Sequence, residues 1–133
     1  MQAIEAISGL FLGQRDSLLL LQRAPQRTHY PNKWDIMGGN IQPGETPEEV
    51  LHRDANEKLH ITNVQIFQTA VTTYPISDKL IIQRHIFVSS GDYSDIRTDS
   101  SKYQEHGWFS THKILKMDLT EGAKTVIYEI GLK

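Results

Sequence analysis

Five of the sixteen acidic side chains fall within thirteen residues, as Glu45, Glu48, Glu49, Asp54 and Glu57. Carboxylates three and four residues apart on a helix share one side of it, where their oxygens can hold a hard divalent cation such as Mg²⁺ or Mn²⁺. Such ions neutralise a diphosphate and orient it for attack. The same residues also suit an acidic, solvated helix whose first-turn glutamates favour the helix dipole, and charge alone does not choose between the two. Arg23, Arg27 and Lys33 lie in an irregular stretch, where each either meets phosphate or is solvated.

Other chemistries are excluded by residue type and spacing. Gly39 and Gly44 stand five apart as in a phosphate-cradling P-loop, but Glu45 occupies the position of the lysine and Pro43 removes a backbone donor. The six histidines show no three- or four-residue pairing, and no Gly-x-Ser-x-Gly elbow is present, which removes zinc-protease and serine-hydrolase readings. Cysteine is absent, so disulfides, thiolate metal sites and a cysteine nucleophile are absent too. A net charge of −2 gives no field that would draw in a nucleic-acid backbone, so no long nucleic acid is expected as a partner. The longest uninterrupted apolar run is the four residues Leu18 to Leu21, against the roughly twenty that cross a bilayer, and the start lacks both regions of a signal peptide. A cytoplasmic, soluble protein is expected.

The element that must position the acids begins at Thr46, which can cap a helix, with Pro47 at its first position and Glu49 completing a capping box. Val50, Leu51, Ala55 and Leu59 form its buried stripe, which leaves Arg53, Asp54, Glu57 and Lys58 projecting from a neighbouring face. Ala3 to Phe11 and Ser17 to Gln22 read as strands flanking a turn at Gly13. Asn63 to Tyr74 and Leu80 to Val88 read as a hairpin around Pro75 to Lys79. Gly107 to Ser110 is a short strand, Thr111 to Met117 a short helix, and Glu121 to Ile130 a final helix with Val126, Ile127 and Ile130 on one stripe. Trp34 and Trp108, each taken singly, are core aromatics. Strands before and after a central helix predict an α/β or α+β arrangement with a mixed sheet between helices, and 133 residues hold one domain.

The spacing of Gly39, five residues, Glu45, seven residues and then Arg53-Asp54-Ala55-Asn56-Glu57-Lys58-Leu59-His60-Ile61 resembles the Nudix box of the Nudix hydrolases. Gly39, Glu45, Arg53, Glu57 and Ile61 match the family pattern outright, and the flanking KWDIMGGNIQPGETPEE and LLLLQRA resemble the family as well. The resemblance implies an α/β/α sandwich over residues 1–133. It departs where the family carries Glu at 54 and 58 and Gly at 60: Asp54 is one methylene shorter, Lys58 cannot ligate a cation, and His60 replaces a glycine at the helix end. Ala55 is smaller than the usual aliphatic residue.

The activity implied is metal-dependent hydrolysis of the diphosphate of a nucleoside diphosphate linked to another moiety, with Mg²⁺ or Mn²⁺ as cofactor. Carried over residue by residue, Glu57 is a metal ligand, Asp54 a weakened ligand or base, and Arg53 the residue that orients Glu45. Gly39 is the turn that admits backbone approach, beside Gly38, and Arg23 and Lys33 are candidate phosphate contacts. Glu105, three residues before Trp108, is a candidate additional ligand or base. The alternative is a non-catalytic nucleotide-binding or regulatory module in which Lys58 has replaced a metal ion. A diphosphate isomerase of the isopentenyl type shares the Trp34 to Gly39 neighbourhood but relies on a cysteine that is absent here. The oligomeric state stays open, a homodimer included.

Overall fold

A computed structural model describes residues 2–130. In chain order the elements are β1 (Gln2–Phe11), β2 (Ser17–Arg23), β3 (Trp34–Asp35), β4 (Met37–Asn40), α1 (Pro47–Leu59), β5 (Thr62–Ser77), β6 (Leu80–Asp92), β7 (Tyr103–Ser110), α2 (Thr111–Ile114) and α3 (Glu121–Glu129). They form two sheets, a mixed one in the order β4-β1-β6-β5 and an antiparallel one in the order β3-β2-β7. Within the first, β1 and β6 are parallel, from Gln2 beside Leu80 to Phe11 beside Ser89.

The alternation of side chains along each strand divides the apolar residues between two cores. Leu19 and Leu21 of β2 and Ile7 and Phe11 of β1 face a cluster with Val50, Leu51, Ala55 and Leu59 of α1. Leu18 and Leu20 of β2 and Leu10 of β1 face a second cluster with Ala123, Val126 and Ile127 of α3. Strands buried on both sides between helical layers make an α/β/α sandwich, as the run Leu18 to Leu21 requires.

Several boundaries differ from those expected. The strands flanking Gly13 meet at one bridge, Leu12 to Leu18, and otherwise enter different sheets, because β1 has parallel pairing with β6 available to it. The hairpin strands run on through Pro75 to Ser77, since β5 is an edge strand where a missing backbone donor is tolerated. β7 begins at Tyr103 because Gln104, Glu105 and His106 form an exposed, polar stretch that still pairs with β2. The short helix ends at Ile114. Trp34 packs against the second core with its ring edge-on to Phe109, whereas Trp108 stays 37% exposed and meets Tyr93.

Helix α1 starts as its sequence requires. Thr46 Oγ1 accepts the Glu49 amide at 3.2 Å, while the Glu49 carboxylate accepts the Thr46 amide at 3.4 Å. Its other end closes on His60 in the left-handed conformation, φ 57° and ψ 35°, whose amide caps the last turn. A side chain there costs about 1 kcal/mol relative to glycine. His60→Gly is therefore expected to raise the melting temperature by about 4 °C, read by calorimetry. An unchanged or lower value would show that the imidazole repays the strain with a contact of its own.

Candidate active site

Strand β4 brings glycine backbone against helix α1. Gly38 pairs with Ser8 and Gly39 with Ile7, and the Asp54 side chain covers Gly39. A Cβ on Gly39 would lie 1.9 Å from Asp54 Oδ2 and 3.2 Å from Lys58 Nζ. Gly39 is thus a strand residue without a positive φ, not the turn expected from the sequence, and close approach is what demands glycine. The positive-φ glycine of this segment is Gly44.

Asp54 does not project with its neighbours but is buried, 4% exposed. Its Oδ1 accepts from Arg53 Nε at 3.3 Å and its Oδ2 pairs with Lys58 Nζ at 3.2 Å. A carboxylate taken out of water needs this compensation. Arg53 also donates to Glu45, whose carboxylate accepts the Gln42 amide at 3.0 Å. The Gln42 amide and the Arg53 guanidinium hold the Glu45 carboxyl below the ordinary glutamate range, and Glu45 in turn raises Arg53. Lys58 Nζ donates to Gly38 O at 2.8 Å, tying the end of α1 to β4.

Beside this cluster opens a cleft of about 960 Å³ lined by Gly38, Gly39, Glu57 and Lys58 at one end. Ala6, Ser8 and Arg84 also line it, with Tyr74 of β5 and the α3 start from Thr120 to Gly122. Arg23, Arg27, His29 and Tyr30 come from the end of β2 and the segment that follows it, Asp35 from β3, and Arg97, Lys102 and Tyr103 from the segment before and at the start of β7. Six Arg or Lys side chains against four Asp or Glu make this a net cationic surface in a chain of net charge −2.

The structure brings together Gly38, Gly39, Glu57 and Arg23 along the cleft, with Asp54 and Arg53 behind β4. Arg23 is held by the His29 carbonyl at 2.9 Å and by Asp35 at 3.4 Å, so it shapes the loop as well as facing the cleft. Lys33 lies outside the lining and pairs with Asp118 at 3.5 Å. Glu105, opposite Gln22, is exposed and outside the lining. The sequence does not single out Arg84, Arg97 or Lys102, and it marks Tyr74 only as the end of a strand. For Arg84 a signal exists, because it shares its strand face with Ile82, Ile86 and Val88, and an arginine there interrupts an otherwise apolar alternation.

The donor chemistry suits a hard divalent ion. Glu57 has an exposed carboxylate on the cleft, and Asp54 and the Gly38 carbonyl supply oxygens to one further point. That point is held by the Lys58 ammonium, and among the described residues no three ligating side chains cluster. Glu57→Gln is expected to weaken Mn²⁺ binding severalfold while leaving the melting temperature within a degree or so, because it removes an anionic oxygen from an exposed position. Unchanged affinity in a calorimetric titration would remove Glu57 from the site.

The α/β/α sandwich carries a glycine strand packed on an acidic helix beside a cationic cleft, a surface suited to a phosphate-bearing ligand. The NUDIX domain model matches residues 4–130, and the chain belongs to the Nudix hydrolase family as a Nudix-type phosphohydrolase. It is 27% identical over 123 residues to nucleoside triphosphatase NudI of Enterobacter sp. (strain 638), covering 86% of this chain and 87% of that one. It is 29% identical over 101 residues to NAD-capped RNA hydrolase NudC of Chromobacterium violaceum, covering 75% of this chain but 36% of that longer protein. A MutT NUDIX hydrolase from Burkholderia pseudomallei has the same fold, with a TM-score of 0.73 at 15% identity over 98% of this chain and 99% of that one. No helix among the described residues is long and apolar enough to cross a membrane.

Proposed function

We propose that the chain hydrolyses the diphosphate of a nucleoside diphosphate linked to another moiety, nucleoside triphosphates included, with Mg²⁺ or Mn²⁺. The observation that carries this reading is the gathering of Gly38, Gly39, Glu57 and Lys58 at one end of a cleft whose remaining lining holds five more Arg or Lys side chains. Glu57 would hold the ion, joined by Asp54 where Lys58 gives way, and the bound ion would polarise the phosphoryl group. The bare backbone at Gly38 and Gly39 lets phosphate lie against β4 where a side chain would exclude it. Arg53 fixes both Glu45 and Asp54, so the box carboxylates stay oriented without substrate. The cationic lining neutralises phosphate charge, and Asp54 is the residue placed to act as base once freed from Lys58. A chain without cysteine is suited to the reducing cytoplasm.

A second reading, nucleotide binding without turnover, is favoured by the Lys58 ammonium sitting on Gly38 O and Asp54. A screen of nucleoside triphosphates and diphosphate-linked nucleosides with Mg²⁺ and Mn²⁺, read as phosphate or pyrophosphate release, separates the two. Turnover of any of them supports the enzyme. Tight binding by calorimetry with no release at any metal concentration replaces it with the binding module.

A further inference from the structure

Two buried polar side-chain atoms without a hydrogen-bond partner stand opposite each other on the central hairpin. They are Arg84 Nη1 and Thr72 Oγ1, and the two residues are direct cross-strand partners of β6 and β5. Residues so paired project from the same face. Arg84 lines the cleft, its guanidinium lies 5.6 Å from the centre of the Tyr74 ring, and no ion pair holds it among the described residues. A Cβ on Gly122 would lie 3.6 Å from Nη2 and 3.7 Å from Nη1, so the first turn of α3 closes over the guanidinium. An arginine donor shut away from water and left unpaired is unfavourable, and a ligand acceptor that pairs with it recovers that loss.

We propose that Arg84 reads the keto edge of a nucleobase in the part of the cleft formed by the sheet face and α3. This rests on the nucleotide reading above, in which the phosphates lie against β4 and α1, across β1 from Arg84. The chemistry follows from what each group offers. Guanidinium has donors only, so it selects carbonyl oxygen and ring nitrogen acceptors, as in O6 and N7 of guanine or O4 of uracil and thymine. Adenine and cytosine put an amino donor at the corresponding place. Glu121 lines the same part of the cleft. Its carboxylate disfavours a second anion there but accepts an imino N–H, which guanine and uracil both carry next to the carbonyl. The Tyr74 ring under the guanidinium holds its plane, so its donor edge stays directed for in-plane pairing with a base.

The test is equilibrium binding of GMP, UMP, AMP and CMP without metal to the wild type and to Arg84→Met, together with kcat/KM for the four triphosphates. The wild type is expected to bind GMP or UMP at least about tenfold more tightly than AMP and CMP, and Arg84→Met to erase that ratio. The GMP and UMP arms distinguish a purine from a pyrimidine keto group. Should Arg84→Met fail to fold, Arg84→Lys keeps the charge but loses the bidentate fork, and the same loss of preference is expected. A preference left unchanged by both variants, AMP as the tightest ligand, or ribose 5-phosphate binding as tightly as GMP overturns the inference. Turnover without an Arg84-dependent preference overturns it alone and leaves the hydrolase standing. Arg84-dependent keto binding with no turnover of any triphosphate or diphosphate-linked nucleoside does the reverse, and neither monophosphate binding nor turnover of any of these compounds overturns both.

Discussion

Gly39→Val will lower the melting temperature by roughly 10 °C, corresponding to a loss of about 3 kcal/mol for a chain of this size. The Cβ alone would come within 1.9 Å of Asp54 Oδ2, so something must move. Asp54 cannot do so cheaply, because it is buried and held on one oxygen by Arg53 and on the other by Lys58. Turning it outward would also leave Lys58 without its carboxylate and Arg53 with Glu45 alone. β4 in turn is fixed by four residue pairs to β1. Two variants separate this clash from a general intolerance of valine in the strand. Gly38 has 3.5 Å between its ideal Cβ and the Ile7 carbonyl, so Gly38→Ala should be mild. In an Asp54→Ala background the penalty at Gly39 should fall by more than half, as expected of residues in contact. Equal melting temperatures for Gly39→Val and the wild type would show that β4 and α1 can separate without loss.

Lys58→Glu is expected to raise divalent affinity and turnover by about tenfold or more, the result of returning an anionic ligand to the site. Two effects of opposite sign meet at this residue. The ammonium satisfies Asp54 and the Gly38 carbonyl, and it adds positive charge that phosphate can use. It also occupies the oxygens a divalent ion would take, and it cannot polarise a phosphoryl oxygen as that ion does. With more than a third of the side chain in water, its pairing with Asp54 contributes on the order of 1 kcal/mol at most. Coordination of a divalent ion by an added carboxylate outweighs that, so repulsion and occupancy decide. Without metal the substitution sets a second carboxylate one helical turn from the buried carboxylate of Asp54, and the protein should melt lower than the wild type. Added Mn²⁺ should then raise its melting temperature more than that of the wild type, through binding to the folded state. Turnover measured for both forms across a Mg²⁺ series gives the answer. A Lys58→Glu protein slower at every concentration would mean that the ammonium itself serves the reaction.

The features legible in the sequence are those set by near neighbours along the chain. Thr46, Pro47 and Glu49 specify where α1 begins because a capping box closes within four residues. Val50, Leu51, Ala55 and Leu59 specify its buried stripe because a helix repeats every 3.6 residues. The spacing from Gly39 to Ile61 carries the family for a related reason, since one loop and one helix hold nearly all of it. The burial of Asp54 was not legible, because a residue one position beyond a polar face is placed by what lies opposite, here the bare backbone of Gly39. The positions of Glu105 and Lys33 outside the cleft were equally hidden, since pairing of β7 with β2 and the partner Asp118 decide them. Only the tertiary structure decided the part of the cleft around Arg84. Ala6, Tyr74, Arg84 and Gly122 meet there because β1 and β6 pair in parallel, β5 folds back on β6 and α3 packs across that sheet, contacts between segments that carry no trace of one another in local sequence.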